Sequence, residues 1–186
     1  ARCKPENSNW LPFIRNAVGP MDFTPGSMFS AQPEDNRSTG ANPMGTGTRA
    51  YQMALYVVFE SPLQMLADNP VLYRREHPCT EFLAAVPTTW DSLRVLRAAC
   101  GREVVVARRK GDKWYVGGIT NDRPYTTEIA LDFLPAGRTF TMTSFEDGVN
   151  ADLQATDYRK RVREVDASTV VKVEMVRNGG WAAVIE

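Results

Sequence analysis

Neither sign of charge dominates this chain, because 22 basic residues balance 22 acidic ones over 186 positions. No global field would draw it to nucleic acid or to an anionic membrane. Histidine occurs once, as His77, and the three cysteines, Cys3, Cys79 and Cys100, form no CxxC pair and have no histidine at metal-ligand spacing. That scarcity leaves no basis for a zinc centre or for a nucleophile with its histidine base. Three thiols leave at least one unpaired or bonded to another chain, which fixes no redox compartment. The longest apolar run, residues 53–59, falls far short of the roughly 20 residues that span a bilayer. The opening Ala1-Arg2-Cys3-Lys4-Pro5-Glu6-Asn7 has neither an initiating Met nor an apolar leader, and reads as an internal start produced by truncation or cleavage.

What is present is enough for a core: 43% hydrophobic and 10% aromatic residues, in a length that suits one large domain or two small ones. The pattern changes near Cys100-Gly101. Before it, residues 27–48 are rich in Ser, Pro, Asn, Gly and Thr and predict a long surface loop, a length that is usually functional or mobile. Ala50, Met53, Ala54, Val57 and Val58 then form one helical stripe, which Tyr56 and Phe59 widen. Pro62 ends or kinks that helix, with Ser61 placed to cap a further helical turn through Ala67, and Asn69-Pro70 breaks the chain again. Short helices are predicted over residues 80–86 and 89–98, each opening on a Thr with an acid in its first turn.

After Gly101 the rhythm is that of strands. Residues 103–108 and 113–119 predict a hairpin around Lys110-Gly111-Asp112. Residues 126–133, 139–147, 158–165, 169–176 and 181–185 complete seven strands, the pattern of an antiparallel sandwich. The basic run Arg159-Lys160-Arg161 and Arg163 reads as the solvated face of an edge strand. Gly117-Gly118 and Gly179-Gly180 lack the following helix that a phosphate loop needs, and mark bulges or close backbone approaches. Trp114, Tyr115 and Trp181 follow core-like patterns.

The candidate carboxylates are Asp22, Glu60, Asp68, Glu76 and Glu81, groups that serve acid–base chemistry when two of them are brought together. Asp22 leads, because Gly19-Pro20-Met21-Asp22-Phe23-Thr24-Pro25-Gly26 puts it just after an apolar element and before a turn. In a (β/α)8 barrel such a position is the catalytic mouth. A turn contact with Thr24 is its structural alternative. Arg15 belongs to the same strand region in this reading and is the second candidate substrate contact; Glu60 reads as a capping or ion-pairing residue and His77 as an exposed turn residue.

The stretch from Leu11-Pro12-Phe13 through Asp22-Phe23-Thr24-Pro25-Gly26, with Gly47-Thr48-Arg49-Ala50 and Glu60-Ser61-Pro62-Leu63-Gln64-Met65-Leu66-Ala67-Asp68, resembles the closing barrel segment of glycoside hydrolase family 97. Cys79-Thr80-Glu81-Phe82-Leu83, Val86-Pro87-Thr88-Thr89-Trp90-Asp91, the block from Val105 to Gly118, Phe145-Glu146-Asp147-Gly148 and Gly179-Gly180-Trp181-Ala182-Ala183 extend the resemblance along nearly the whole chain. It implies the last part of a (β/α)8 barrel in residues 1–98, followed by a small antiparallel β-sandwich domain in residues 99–186. It implies a calcium-dependent, exo-acting α-glucosidase or α-galactosidase of bacteria, periplasmic or secreted, acting on oligosaccharides. The family's catalytic carboxylates and calcium-binding glutamates precede Leu11-Pro12-Phe13, so the resemblance assigns no catalytic or metal residue here. The chain alone is expected to bind no calcium and to be inactive, and its partner is the upstream polypeptide of the same enzyme.

Two other classes make different demands. A non-catalytic carbohydrate-binding or structural module would carry a surface row of aromatics at strand spacing. An oligomerisation fragment would expose an apolar patch along residues 53–59.

Overall fold

The near-continuous apolar runs after Gly101 have a simple origin, which is that both faces of one sheet are covered. The computed structural model describes residues 4–40 and 42–186. Its early elements are α1 (Pro5–Ser8), α2 (Leu11–Ile14), β1 (Asp22–Phe23), β2 (Ser30–Ala31), β3 (Gly45–Thr46), α3 (Arg49–Val58), β4 (Leu63–Gln64), α4 (Pro70–Arg75) and α5 (His77–Ala85). There follow β5 (Ser92–Ala99), β6 (Glu103–Lys110), β7 (Lys113–Thr120), β8 (Tyr125–Ala130), β9 (Phe140–Asp147), β10 (Tyr158–Val165), β11 (Val170–Met175) and β12 (Gly180–Ile185). Six of these pair antiparallel in the order β10-β9-β12-β7-β6-β5, and β8 with β11 forms a separate ribbon.

Alternation sorts the side chains of the sheet between two cores. Val105, Ala107, Trp114, Val116, Met142, Trp181 and Ala183 pack under the ribbon's Ile129, Val171, Val173 and Met175. Val104, Val106, Tyr115, Phe145 and Ala182 face the other way, onto α3 and Phe82 and Leu83 of α5. Trp114, Tyr115 and Trp181 are core residues, and the surface aromatic row of a sugar-binding module is not built from them. The expected strands are all present with small changes at their ends.

Four expectations are corrected. Residues 89–98 do not form a helix, since Ser92–Ala99 is an edge strand paired with β6. The residues that suggested a helix cap extend the ladder instead: Asp91 N donates to Arg109 O at 2.8 Å, and Asp91 Oδ2 accepts from Gly111 N at 2.7 Å. No helical turn follows Ser61; its Oγ donates to Leu63 O at 3.0 Å, and the chain runs on as β4. Asn69-Pro70 starts a helix rather than breaking one, with Asn69 Oδ1 accepting from Val71 N and Leu72 N and Pro70 in the first turn, where its missing N–H costs nothing. The next helix begins at His77 rather than Thr80, whose hydroxyl donates back to Tyr73 O at 2.7 Å.

Helix α3 is the centre of the assembly. Thr48 caps it by accepting from Tyr51 N, and every residue from Arg49 to Val58 is buried. The exposed apolar patch that an oligomerisation fragment would show along residues 53–59 is absent, because the sheet covers one side of the helix and the preceding segment the other. Close approach depends on two glycines. A Cβ on Gly117 would stand 2.8 Å from Val57 Cβ and 2.9 Å from Ala54 O, and one on Gly180 would stand 2.3 Å from Tyr51 Cα.

A buried acid fastens the helix to the sheet. Asp147, 4% exposed at the end of β9, takes Thr48 Oγ1 at 2.6 Å, Val176 N at 3.0 Å and Gly180 N at 3.1 Å. Burial pushes its carboxyl up to about 7, against the pull of those three donors and of Arg159. Arg49 adds a second tie. Its Nε and Nη2 donate to Met28 O at 3.0 and 2.9 Å, its Nη1 meets Glu76 Oε2 at 2.9 Å, and its guanidinium lies over the Tyr158 ring.

Two outcomes are expected. Gly117→Ala and Gly180→Ala force α3 off the sheet and lower stability by about 1–3 kcal/mol each in denaturant titrations. Gly118→Ala, whose added carbon first meets the flexible Met175 Sδ at 3.4 Å, stays within about 0.5 kcal/mol. Because the folded-state pKa of Asp147 is raised, its contribution is full below the unfolded value of 3.8 and is lost as pH rises through about 7. Urea midpoints between those limits should fall by the equivalent of about 2–4 kcal/mol, and Asp147→Asn should flatten that slope; an unchanged slope would remove Asp147 as its source.

Candidate functional site

Parallel strands gather their functional loops at their C-terminal ends. Here β1 and β4 are parallel, in the register Asp22 with Leu63 and Phe23 with Gln64, and the loop and α3 between them make a βαβ unit. The ladder continues as Met65 N to Phe23 O and Ala67 N to Pro25 O, both 3.2 Å. The segments that leave its C-terminal end, residues 24–48 after β1 and 65–69 after β4, are where a site would be assembled.

Both segments are fixed by buried side chains. Gln52 of α3 accepts from Gly26 N at 3.1 Å and donates to Thr46 O at 3.0 Å, so one amide holds the two roots of the loop. Tyr56 places its hydroxyl between Pro25 O and Met65 O, at 3.2 and 3.0 Å. Tyr73 donates to Gly26 O at 2.9 Å and accepts from Asp68 N at 3.1 Å. Burial raises the pKa of both phenols, which keeps them protonated donors. Asp68 Oδ2 gathers Ser27 Oγ at 3.2 Å, Phe29 N at 3.1 Å and Met28 N, joining the two loops directly. A cavity of about 180 Å³ opens beside them, lined in part by Thr24, Ser27, Gly45, Thr46, Gln52 and Ala67.

The expected surface loop over residues 27–48 is thus more ordered than its composition suggests. Ser27, Met28, Ser30, Ala31, Gln32 and Asn36 are buried, and β2 pairs with β3 in parallel.

Asp22 lies on β1. Phe23 packs edge-on against Phe59 and Gln64 donates to Tyr56 O, so this register turns Asp22 and Leu63 to the face away from α3, where both are exposed. Arg15 is not in that strand. It follows the helical turn of α2, is exposed, and donates to Gly19 O at 3.2 Å. Among the described contacts nothing joins Arg15 to Asp22. Glu60 is exposed and its carbonyl takes Met21 N and Asn16 Nδ2. Glu76 pairs with Arg49. His77 opens α5, exposed, 3.5 Å from Glu81 Oε1. Cys79 is buried and Cys100 exposed, whereas Cys3 lies outside the described residues.

Among the described residues no group of three or more His, Cys, Asp or Glu side chains stands together to hold a metal ion. Among the described residues no helix is long and apolar enough to cross a membrane.

The functional residues missed in the sequence are those that hold the loops: Gln32, Gln52 and Asp147. Each has at least one partner more than 20 residues away, which leaves no local pattern.

Comparison with known proteins places this arrangement. The family model described as "Glycosyl-hydrolase 97 C-terminal, oligomerisation" matches residues 89–186. A retaining alpha-galactosidase of Bacteroides thetaiotaomicron is 43% identical over 176 residues, 95% of this chain and 26% of that protein. A probable retaining alpha-galactosidase of Streptomyces bingchenggensis is 32% identical over 94% of this chain and 25% of its own length. Among solved structures, a glycoside hydrolase family 97 enzyme from a Pseudoalteromonas species, in complex with acarbose, gives a TM-score of 0.86 at 37% identity, covering 98% of this chain and 28% of that one. A beta-arabinopyranosidase gives 0.76 at 28% identity, covering 97% of this chain and 27% of the other. The chain spans about a quarter of the length of these relatives. With the family model matched along the whole sheet, and the βαβ unit carried in the same superpositions, this chain belongs to glycoside hydrolase family 97.

Proposed function

We propose that this chain is the C-terminal part of a calcium-dependent, exo-acting α-glycosidase, and that residues 1–98 supply the end of its (β/α)8 barrel. The observation that carries the reading is the parallel β1-α3-β4 unit, joined through one core to a sheet whose sequence is matched by the family model. A parallel pair is ordinarily part of a larger sheet with both faces covered, and Leu63, Met65 and Leu66 are among its exposed apolar residues. Upstream polypeptide of the same enzyme is the partner that would complete them.

The chemistry of such an enzyme needs two carboxyl groups. One protonates the glycosidic oxygen as the bond to the anomeric carbon breaks, and in the retaining course the other attacks that carbon, before water releases the sugar. We favour α-galactosides with retention because the curated relatives carry those names, with α-glucosides as the other substrate class. In this reading, which follows the family resemblance, the catalytic groups and the calcium ligands belong upstream of Leu11-Pro12-Phe13, and this chain alone would be inactive. Asp22 on β1, and Arg15 after α2, would contribute to substrate binding. The family model's description names oligomerisation; in this chain that contact would have to avoid the buried α3. Because its substrates would be glycans from outside the cell, we place the enzyme in the periplasm or among secreted proteins.

Hydrolysis of p-nitrophenyl α-galactoside and α-glucoside tests the reading. The purified 186-residue chain should show no turnover, and the longer parent enzyme should show turnover that chelator removes and calcium restores. Turnover by the homogeneous short chain would sink the upstream assignment.

A further inference from the structure

The loop after β1 is held from outside its own βαβ unit. Gln32 is 1% exposed, and its amide is fully used. Nε2 donates to Ala151 O at 3.2 Å and Arg177 O at 3.1 Å, while Oε1 accepts from Asn178 Nδ2 at 3.0 Å. All three partners belong to turns of the C-terminal sheet, residues 148–157 and 176–179. Asn178 is itself specialised. Its φ of 53° lies in the left-handed region, its carbonyl accepts from Thr48 N at 2.9 Å, and its side chain reaches Gln32. Arg177 also forms an ion pair with Glu34, just beyond Gln32. On the opposite side Asp68 holds residues 27–29 against the loop after β4. Residues 27–32 are therefore gripped at both ends, and most of residues 33–40 are exposed and continue from that grip.

We propose that Gln32 and Asn178 are positioning residues for substrate binding, through which the C-terminal sheet sets the conformation of loop residues 33–40 at the catalytic end of the barrel. The proposal rests on the α-glycosidase reading. A buried amide that loses its partners no longer holds one loop conformation, and apparent affinity then falls in proportion to the binding-competent fraction. Groups that do the chemistry are untouched, so KM should move more than kcat.

The test uses the longer parent enzyme with two variants that release the amide differently. Gln32→Met keeps the volume without hydrogen bonds, and Asn178→Gly keeps the left-handed backbone while removing only the side chain. Each should raise KM for the nitrophenyl glycoside about five- to tenfold with kcat changed less than twofold, and the double variant should be no worse than the worse single. Hydrogen exchange should quicken over residues 28–46 and stay unchanged in α3. A KM within twofold of the parent in either active variant overturns the proposal, as does unchanged exchange of that segment. A parent that cleaves neither substrate refutes the glycosidase reading instead, and hydrogen exchange then decides the clamp by itself.

Discussion

The structure depends on the contact between Asp147 and the N-terminus of α3. A carboxyl is rarely buried unless several donors meet it, and here three converge from a helix cap and from both ends of the turn between β11 and β12. That geometry fixes where α3 begins, and the position of Tyr51, one turn later, fixes how closely the backbone at Gly180 must approach. The same helix cap brings Arg49 into place, and with it the carbonyl of Met28 and the carboxylate of Glu76. Loop, helix and sheet are therefore arranged around one polar junction rather than by apolar burial alone.

How far this was legible in the sequence differs from element to element. Strands after Gly101 were readable because β-branched and aromatic residues alternate between glycine turns. Burial on both faces blurred the alternation of Val104-Val105-Val106 without hiding it. The segment Ser92–Ala99 misled because Leu93, Val95 and Leu96 fit either period, and because Thr89 and Asp91 look like a helix cap while they serve the hairpin next to them. Asn69-Pro70 has two readings, as a breaker and as a helix start, and only the presence of Tyr73 and Leu72 against the core decides between them.

The site was less legible than the fold. Asp22 could be noticed because a lone acid after an apolar strand has a known location in barrels, but no local pattern told that pairing with β4 turns it to the exposed face. Gln32 gave no signal at all, since a glutamine in a polar loop becomes informative only once Ala151, Arg177 and Asn178 are brought beside it. Long-range polar contacts of this kind are invisible to periodicity, which reports faces and not partners.

Helix α3 also bears on what counts as a unit. The family model starts at residue 89, after the helix, yet Met53, Ala54 and Val57 share one apolar cluster with Val104, Tyr115 and Ala182. A sheet cut out at that residue would keep its glycines at 117 and 180 but lose the helix for which they make room, and would turn a bare apolar face to water. The segment that recurs as one block of sequence is thus not the segment that can be exchanged as one block of structure, and a chimaera that respects the physics would carry the helix with the sheet.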